Sequence, residues 1–119
     1  MKKVYLDNAA TTPMHPEVIQ EMTRVIQEDY GNPSSTHGFG RQAKSILELA
    51  RKAIAKSINA SSQEIIFTSG GTESNNWVLR NAVSTLKIER IISSKIEHHA
   101  VLHTLEALQS EFKIAVDYV

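Results

Sequence analysis

Apolar residues follow two rhythms along this chain, one of short runs and one of helical stripes. Residues 3–6 form a short extended segment, and Ile65-Ile66-Phe67-Thr68 is a β-branched and aromatic run that predicts a buried strand. Residues 90–93 read as a further strand, and residues 113–119 alternate like another. Between these runs the apolar positions recur at helical spacing. Pro16 opens a first helix, because its missing N–H costs nothing in the first turn, and Val18, Ile19, Met22, Val25 and Ile26 continue it. A second helix runs from near Gly38 to Ile58, with Ala43, Ile46, Leu47, Ala50, Ala53, Ile54 and Ile58 as its stripe. A third starts near Thr72 or Glu73 and reaches about Leu86, with Trp77 at a core-facing position. A fourth spans His98 to Phe112, with Val101, Leu102, Leu105 and Leu108 on its inner face. Residues 7–13, 31–35 and 59–63 are polar or turn-rich connections, and no internal repeat is present.

Strands alternating with helices predict an α/β architecture with a mostly parallel sheet and flanking helices. The last residue, Val119, falls inside an expected strand, and core strands are seldom left unshielded. The chain therefore reads as a piece of a longer or split protein. Residues 1–15 are expected to form an N-terminal arm, and residues 16–119 an incomplete larger domain.

Thirteen basic residues balance thirteen acidic ones, which argues against nucleic acid or an anionic membrane as the main partner. No apolar run is long enough for a membrane helix, and no secretory signal is recognisable, so a cytoplasmic protein is expected. Cysteine is absent, which excludes a disulfide scaffold and any thiol chemistry from this chain. Lys87, Glu89 and Arg90 read as a solvated rim.

The segment Thr68-Ser69-Gly70-Gly71-Thr72-Glu73 joins an expected strand to an expected helix. The first N–H groups of a helix lack internal partners, and the dipole there is positive. Glycines let an anion approach the backbone, and the Thr72 hydroxyl can donate another hydrogen bond. Read locally, the segment is either a phosphate cradle or an ordinary strand-to-helix turn with a Ser or Thr cap. It matches neither the Walker pattern nor the dinucleotide fingerprint.

Four stretches in order resemble one family. Tyr5 to Pro13 is similar to the opening motif of cysteine desulfurases, and Gly31-Asn32-Pro33-Ser34-Ser35 with His37, Gly40 and Arg41 resembles their second loop. Phe67 to Asn76 resembles their phosphate loop for pyridoxal 5'-phosphate (PLP), and Ser94 to Leu102 their cofactor-stacking segment. The resemblance implies the start of the large domain of a fold-type I PLP-dependent transferase, related to class V aminotransferases. It implies L-cysteine as substrate, alanine as product, and sulfur passed to an enzyme cysteine for iron–sulfur cluster assembly or tRNA thiolation. It implies a homodimer that works with a sulfur-acceptor or scaffold protein.

By the same resemblance, Gly71 and Thr72 contact the PLP phosphate, and His98 stacks on the pyridine ring and assists proton transfer. Imidazole titrates near neutral pH, which suits that role. Asn8, Ala10, Thr11 and Asn32 either line the mouth of the active site or simply form turns. His99 reads as a half-exposed helix residue, and no role attaches to His15, His37 or His103. No metal ligands are expected.

None of the eight lysines has the family's Ser-x-His context for the lysine that holds PLP. The carboxylate for the pyridine nitrogen, the substrate-binding arginine and the persulfide cysteine also fall outside this chain in the family pattern. The chain alone is thus expected to be inactive and to lack the middle of its sheet. Two alternatives stand beside the desulfurase: another class V enzyme, such as a selenocysteine lyase or aminotransferase, and a non-catalytic phosphate-binding or assembly fragment.

Overall fold

The computed structural model describes residues 3–119 and divides the chain into two compact units, Met1–Ile65 and Ile66–Val119. In the first unit, Pro16 starts helix α1 (Pro16–Glu28) as expected from its fixed φ. The apolar stripe of α1 is present, yet Val18, Ile19, Met22 and Ile26 stay exposed and only Val25 is half-buried. Helix α2 (Gly38–Ser57) opens on His37, whose Nδ1 accepts the Gly40 N–H at 3.4 Å. Its buried residues are small: Gly40, Ala43 and Ala55. Close approach explains Gly40, since a Cβ there would meet Asn32 O at 2.7 Å. A 3-10 turn follows at Ser62–Glu64, closed by a reciprocal cap. The Ser61 N–H donates to Glu64 Oε2 at 2.7 Å, and Ser61 Oγ accepts the Gln63 N–H at 3.3 Å. Arg51 donates from α2 to the Ile65 carbonyl.

The second unit contains α3 (Gly71–Ser84), β1 (Arg90–Ser93), α4 (His99–Phe112) and β2 (Ala115–Tyr118). Strands β1 and β2 pair in parallel, with Arg90 opposite Ala115 and Ser93 opposite Tyr118. A parallel pair needs a crossover, which α4 supplies. Lys113 turns the chain out of α4 in the left-handed conformation, φ 57°. Val83, Leu108 and Ile114 form the core, with Leu79, Ile91 and Val116 packed against it. Arg90 Nε donates to Asp117 Oδ2 at 2.5 Å, and that hydrogen bond holds the Asp117 carboxyl below its usual range. Arg90 thus makes a cross-strand pair while Lys87, Glu89 and Arg90 all stay exposed, as a solvated rim requires.

The architecture is α/β, and its helices and two C-terminal strands fall close to the expected positions. Three expectations need correction. Residues 65–68 are not a strand, because no neighbouring strand pairs with them among the described residues. Residues 65–68 leave Ile66 59% exposed. Trp77 is 50% exposed rather than core-facing. It lies two residues, roughly 200° around the helix, from Leu79, which packs on the core. The inner face of α4 is Ala100, Thr104, Leu105 and Leu108, while Val101 and Leu102 are only partly covered. Buried Thr104 is tolerated because its hydroxyl donates to the Ala100 carbonyl at 2.7 Å. Among the described residues, no helix is long and apolar enough to cross a membrane.

Candidate anion site at the start of helix α3

Helix α3 begins at Gly71 with Gly70 as its N-cap, so no side chain caps it. The N–H groups of Gly71, Thr72 and Glu73 make no hydrogen bond among the described residues, and neither does the Thr72 hydroxyl. A Cβ built at Gly70 or Gly71 meets nothing within 4 Å. The loop before the helix is braced by its own side chains. The Thr68 and Ser74 hydroxyls share a hydrogen bond at 2.7 Å, and both lie 3.2 Å from the Gly70 carbonyl oxygen, which accepts the remaining proton. The Ser69 N–H donates to Glu73 Oε2 at 2.6 Å, and the Ser69 hydrogen bonds hold the Glu73 carboxyl below its usual range. Bracing of the loop leaves the first-turn donors aimed outward, which is the chemistry an anion needs. A phosphate fits this donor set.

His98 sits at the N-cap of α4, one residue before the helix rather than within it. Its Nδ1 accepts the Ala100 N–H at 3.1 Å, so in the neutral ring the proton is on Nε2. The cap therefore fixes both the orientation and the tautomer of the ring. Thr72 and His98 line one open concavity of about 390 Å³ on the α3–α4 face, together with Asn76, Arg80, His99, Ala100, His103 and Thr104. The structure thus brings together two residues that lie 26 positions apart in sequence. Gly71 precedes Thr72 and supplies backbone rather than lining.

The other expected residues lie in the first unit. Residues 8–10 form a turn in which the Asp7 carbonyl accepts the Ala10 N–H at 3.1 Å and the Thr11 N–H at 3.3 Å. The Thr11 hydroxyl lies 2.6 Å from the Tyr5 hydroxyl. Asn32 Oδ1 accepts the Ser34 N–H at 2.9 Å, and the Asn32 carbonyl accepts the Ser35 N–H at 2.9 Å. Asn8, Ala10 and Thr11 share one exposed turn, and Asn32 organises its own loop. Asn76 and Arg80 received no role from the sequence. The usable signal was spacing: positions 72, 76 and 80 stack on one face of α3.

Residues 4–119 match the family described as Aminotransferase class-V. A relative named "Cysteine desulfurase IscS", from Dictyoglomus turgidum, is 53% identical over 115 residues, covering 92% of this chain and 29% of the relative. "Selenocysteine lyase" from Homo sapiens is 42% identical over 137 residues, covering 99% of this chain and 31% of the relative. A solved structure titled "NIFS-LIKE PROTEIN" superposes with a TM-score of 0.90 at 43% identity, covering 99% of this chain and 33% of that one. The chain spans about a third or less of the length of these proteins. A match over almost every residue, carried into the backbone geometry, shows that this chain belongs to the class V aminotransferase family.

Proposed function

We propose that this chain is the N-terminal part of a PLP-dependent cysteine desulfurase and supplies its cofactor-phosphate cradle. The observation that carries this reading is the set of free N–H groups at Gly71, Thr72 and Glu73, with the Thr72 hydroxyl, on the face that also presents His98. The N–H groups and the hydroxyl hold the phosphate dianion, aided by the dipole of α3. When bound, PLP supplies an electron-withdrawing ring that weakens bonds at the α- and β-carbons of an amino acid. His98 packs on that ring and, with Nδ1 committed to the α4 cap and the proton on Nε2, can give a proton from Nε2.

The cofactor-holding lysine, the carboxylate for the pyridine nitrogen and the sulfur-carrying cysteine must come from outside these residues; this chain contains no cysteine. The substrate is L-cysteine, the products are alanine and an enzyme-bound sulfur, and the whole enzyme is a cytoplasmic homodimer that feeds iron–sulfur cluster assembly or tRNA thiolation through an acceptor protein. The desulfurase name of the 53%-identical relative supports this reaction. The 42%-identical human relative supports a second reading, selenocysteine lyase.

The test joins this chain to the remaining portion of the Dictyoglomus turgidum relative and follows alanine release from L-cysteine and from L-selenocysteine. The expected result is PLP-dependent release from L-cysteine, none from the 119-residue chain alone, and a PLP requirement raised about tenfold or more by Thr72→Ala. Turnover by the chain alone, or a PLP requirement untouched by Thr72→Ala, would contradict the reading. A strict preference for L-selenocysteine would transfer it to the lyase.

A further inference from the structure

We infer that His99 and His103 form a two-ligand site for a borderline divalent transition-metal ion such as Ni2+, Cu2+ or Zn2+. The two residues are four apart on α4, so their side chains stand one above the other on a single face. Their ring centroids are 5.3 Å apart, with the planes inclined by 30°. Two imidazoles bound through nitrogen at about 2.1 Å, with a right-angled to tetrahedral opening, hold their centroids roughly 5 Å apart. The observed centroid spacing falls in that range. Both residues are exposed, and neither imidazole has a hydrogen-bond partner among the described residues, so their nitrogens are available to an ion.

His98 is not a third ligand. Its Nδ1 accepts the Ala100 N–H, and its ring lies 6.2 Å from that of His99 at 61°. Among the described residues, no group of three His, Cys, Asp or Glu side chains is placed to hold a metal, so the pair is the whole protein ligand set. Water fills the other positions, and the ion is exchangeable rather than structural. Arg80 lines the same concavity and opposes a cation, but its guanidinium donates to Glu111 Oε2 at 3.3 Å, which offsets that charge. Imidazole pairs without carboxylates select the later first-row ions over Mg2+ and Mn2+.

This inference is argued from the α4 pair and not from the desulfurase reading, although the pair lines the same concavity as Thr72 and His98. The test is calorimetric titration of the 119-residue chain with Ni2+, Zn2+ and Mg2+ in a non-chelating buffer, with circular dichroism to check each variant. One equivalent of Ni2+ should bind, Zn2+ more weakly, and Mg2+ not at all. His99→Gln and His103→Gln keep side-chain length and helix propensity, and each should weaken Ni2+ binding about 100-fold by removing the second anchor. His98→Asn keeps the cap and should leave Ni2+ affinity unchanged. Helical variants at 99 or 103 that bind Ni2+ like the parent chain would overturn the site, as would equal loss of affinity in His98→Asn.

Discussion

Two glycine-bearing loops lead into helices in this chain, and in sequence they look alike. Residues 31–40 precede the body of α2, and residues 68–73 lead into α3. In the first, Gly31 and Gly40 are locked by packing, while Gly38 has room for a Cβ. A Cβ at Gly31 would lie 2.6 Å from the Phe39 carbonyl carbon, and one at Gly40 would lie 2.7 Å from Asn32 O and from Ser35 Cβ. The start of that helix is capped by His37. In the second loop, a Cβ at Gly70 or Gly71 has open space around it, and no side chain caps the helix. One loop spends its glycines on folding; the other keeps its backbone donors accessible. Glycine in a motif therefore marks close approach, but only the surroundings tell whether the approaching group belongs to the protein or to a ligand.

Substitution at the two glycine sets should separate them most sharply. Gly40→Ala is expected to destabilise the first unit by about 2–3 kcal/mol through overpacking. Gly71→Ala should change stability by less than about 0.5 kcal/mol. Urea unfolding of the two variants checks this contrast, and equal effects would break it.

The helix caps offer a smaller contrast. His98→Ala removes the acceptor for the Ala100 N–H and should cost about 1 kcal/mol, whereas His98→Asn should recover most of that loss. Recovery of stability without recovery of cofactor-dependent activity would show that His98 does more than cap. The smallest effect concerns pH. The Glu73 carboxyl is held below its usual range by the Ser69 N–H, so its contribution is present above its unfolded value, about 4.3, and is lost as pH falls through the lowered folded value. The Ser69 amide resonance should shift only on that acid limb, and the shift should disappear in Glu73→Gln.

Much of this fold could be read from the sequence because local signals agreed with it. Pro16 fixed the start of α1, the β1 boundaries were as expected, and the apolar repeat located α4 within one residue. Residues 65–68 were misassigned because a β-rich composition predicts an extended backbone, while a strand also needs a partner. Trp77 was misplaced because hydrophobicity identifies a residue that favours burial but not the face its helix buries. At the site, the motifs pointed to Gly71, Thr72 and His98, and the structure sets Thr72 and His98 around one concavity. The cap made by His98 and the alignment of Asn76, Arg80, His99 and His103 depend on how α3 packs on α4, which single-residue patterns do not encode.

The central claim is that the free donors at the start of α3 hold the phosphate of the cofactor. It is tested most directly by recording amide resonances while the chain is titrated with pyridoxine 5'-phosphate, and then with pyridoxine. Pyridoxine 5'-phosphate should shift the amides of Gly71, Thr72 and Glu73 ahead of all others, and pyridoxine should leave them in place. Equal responses to both ligands, or saturable shifts that bypass residues 71–73, would contradict the account.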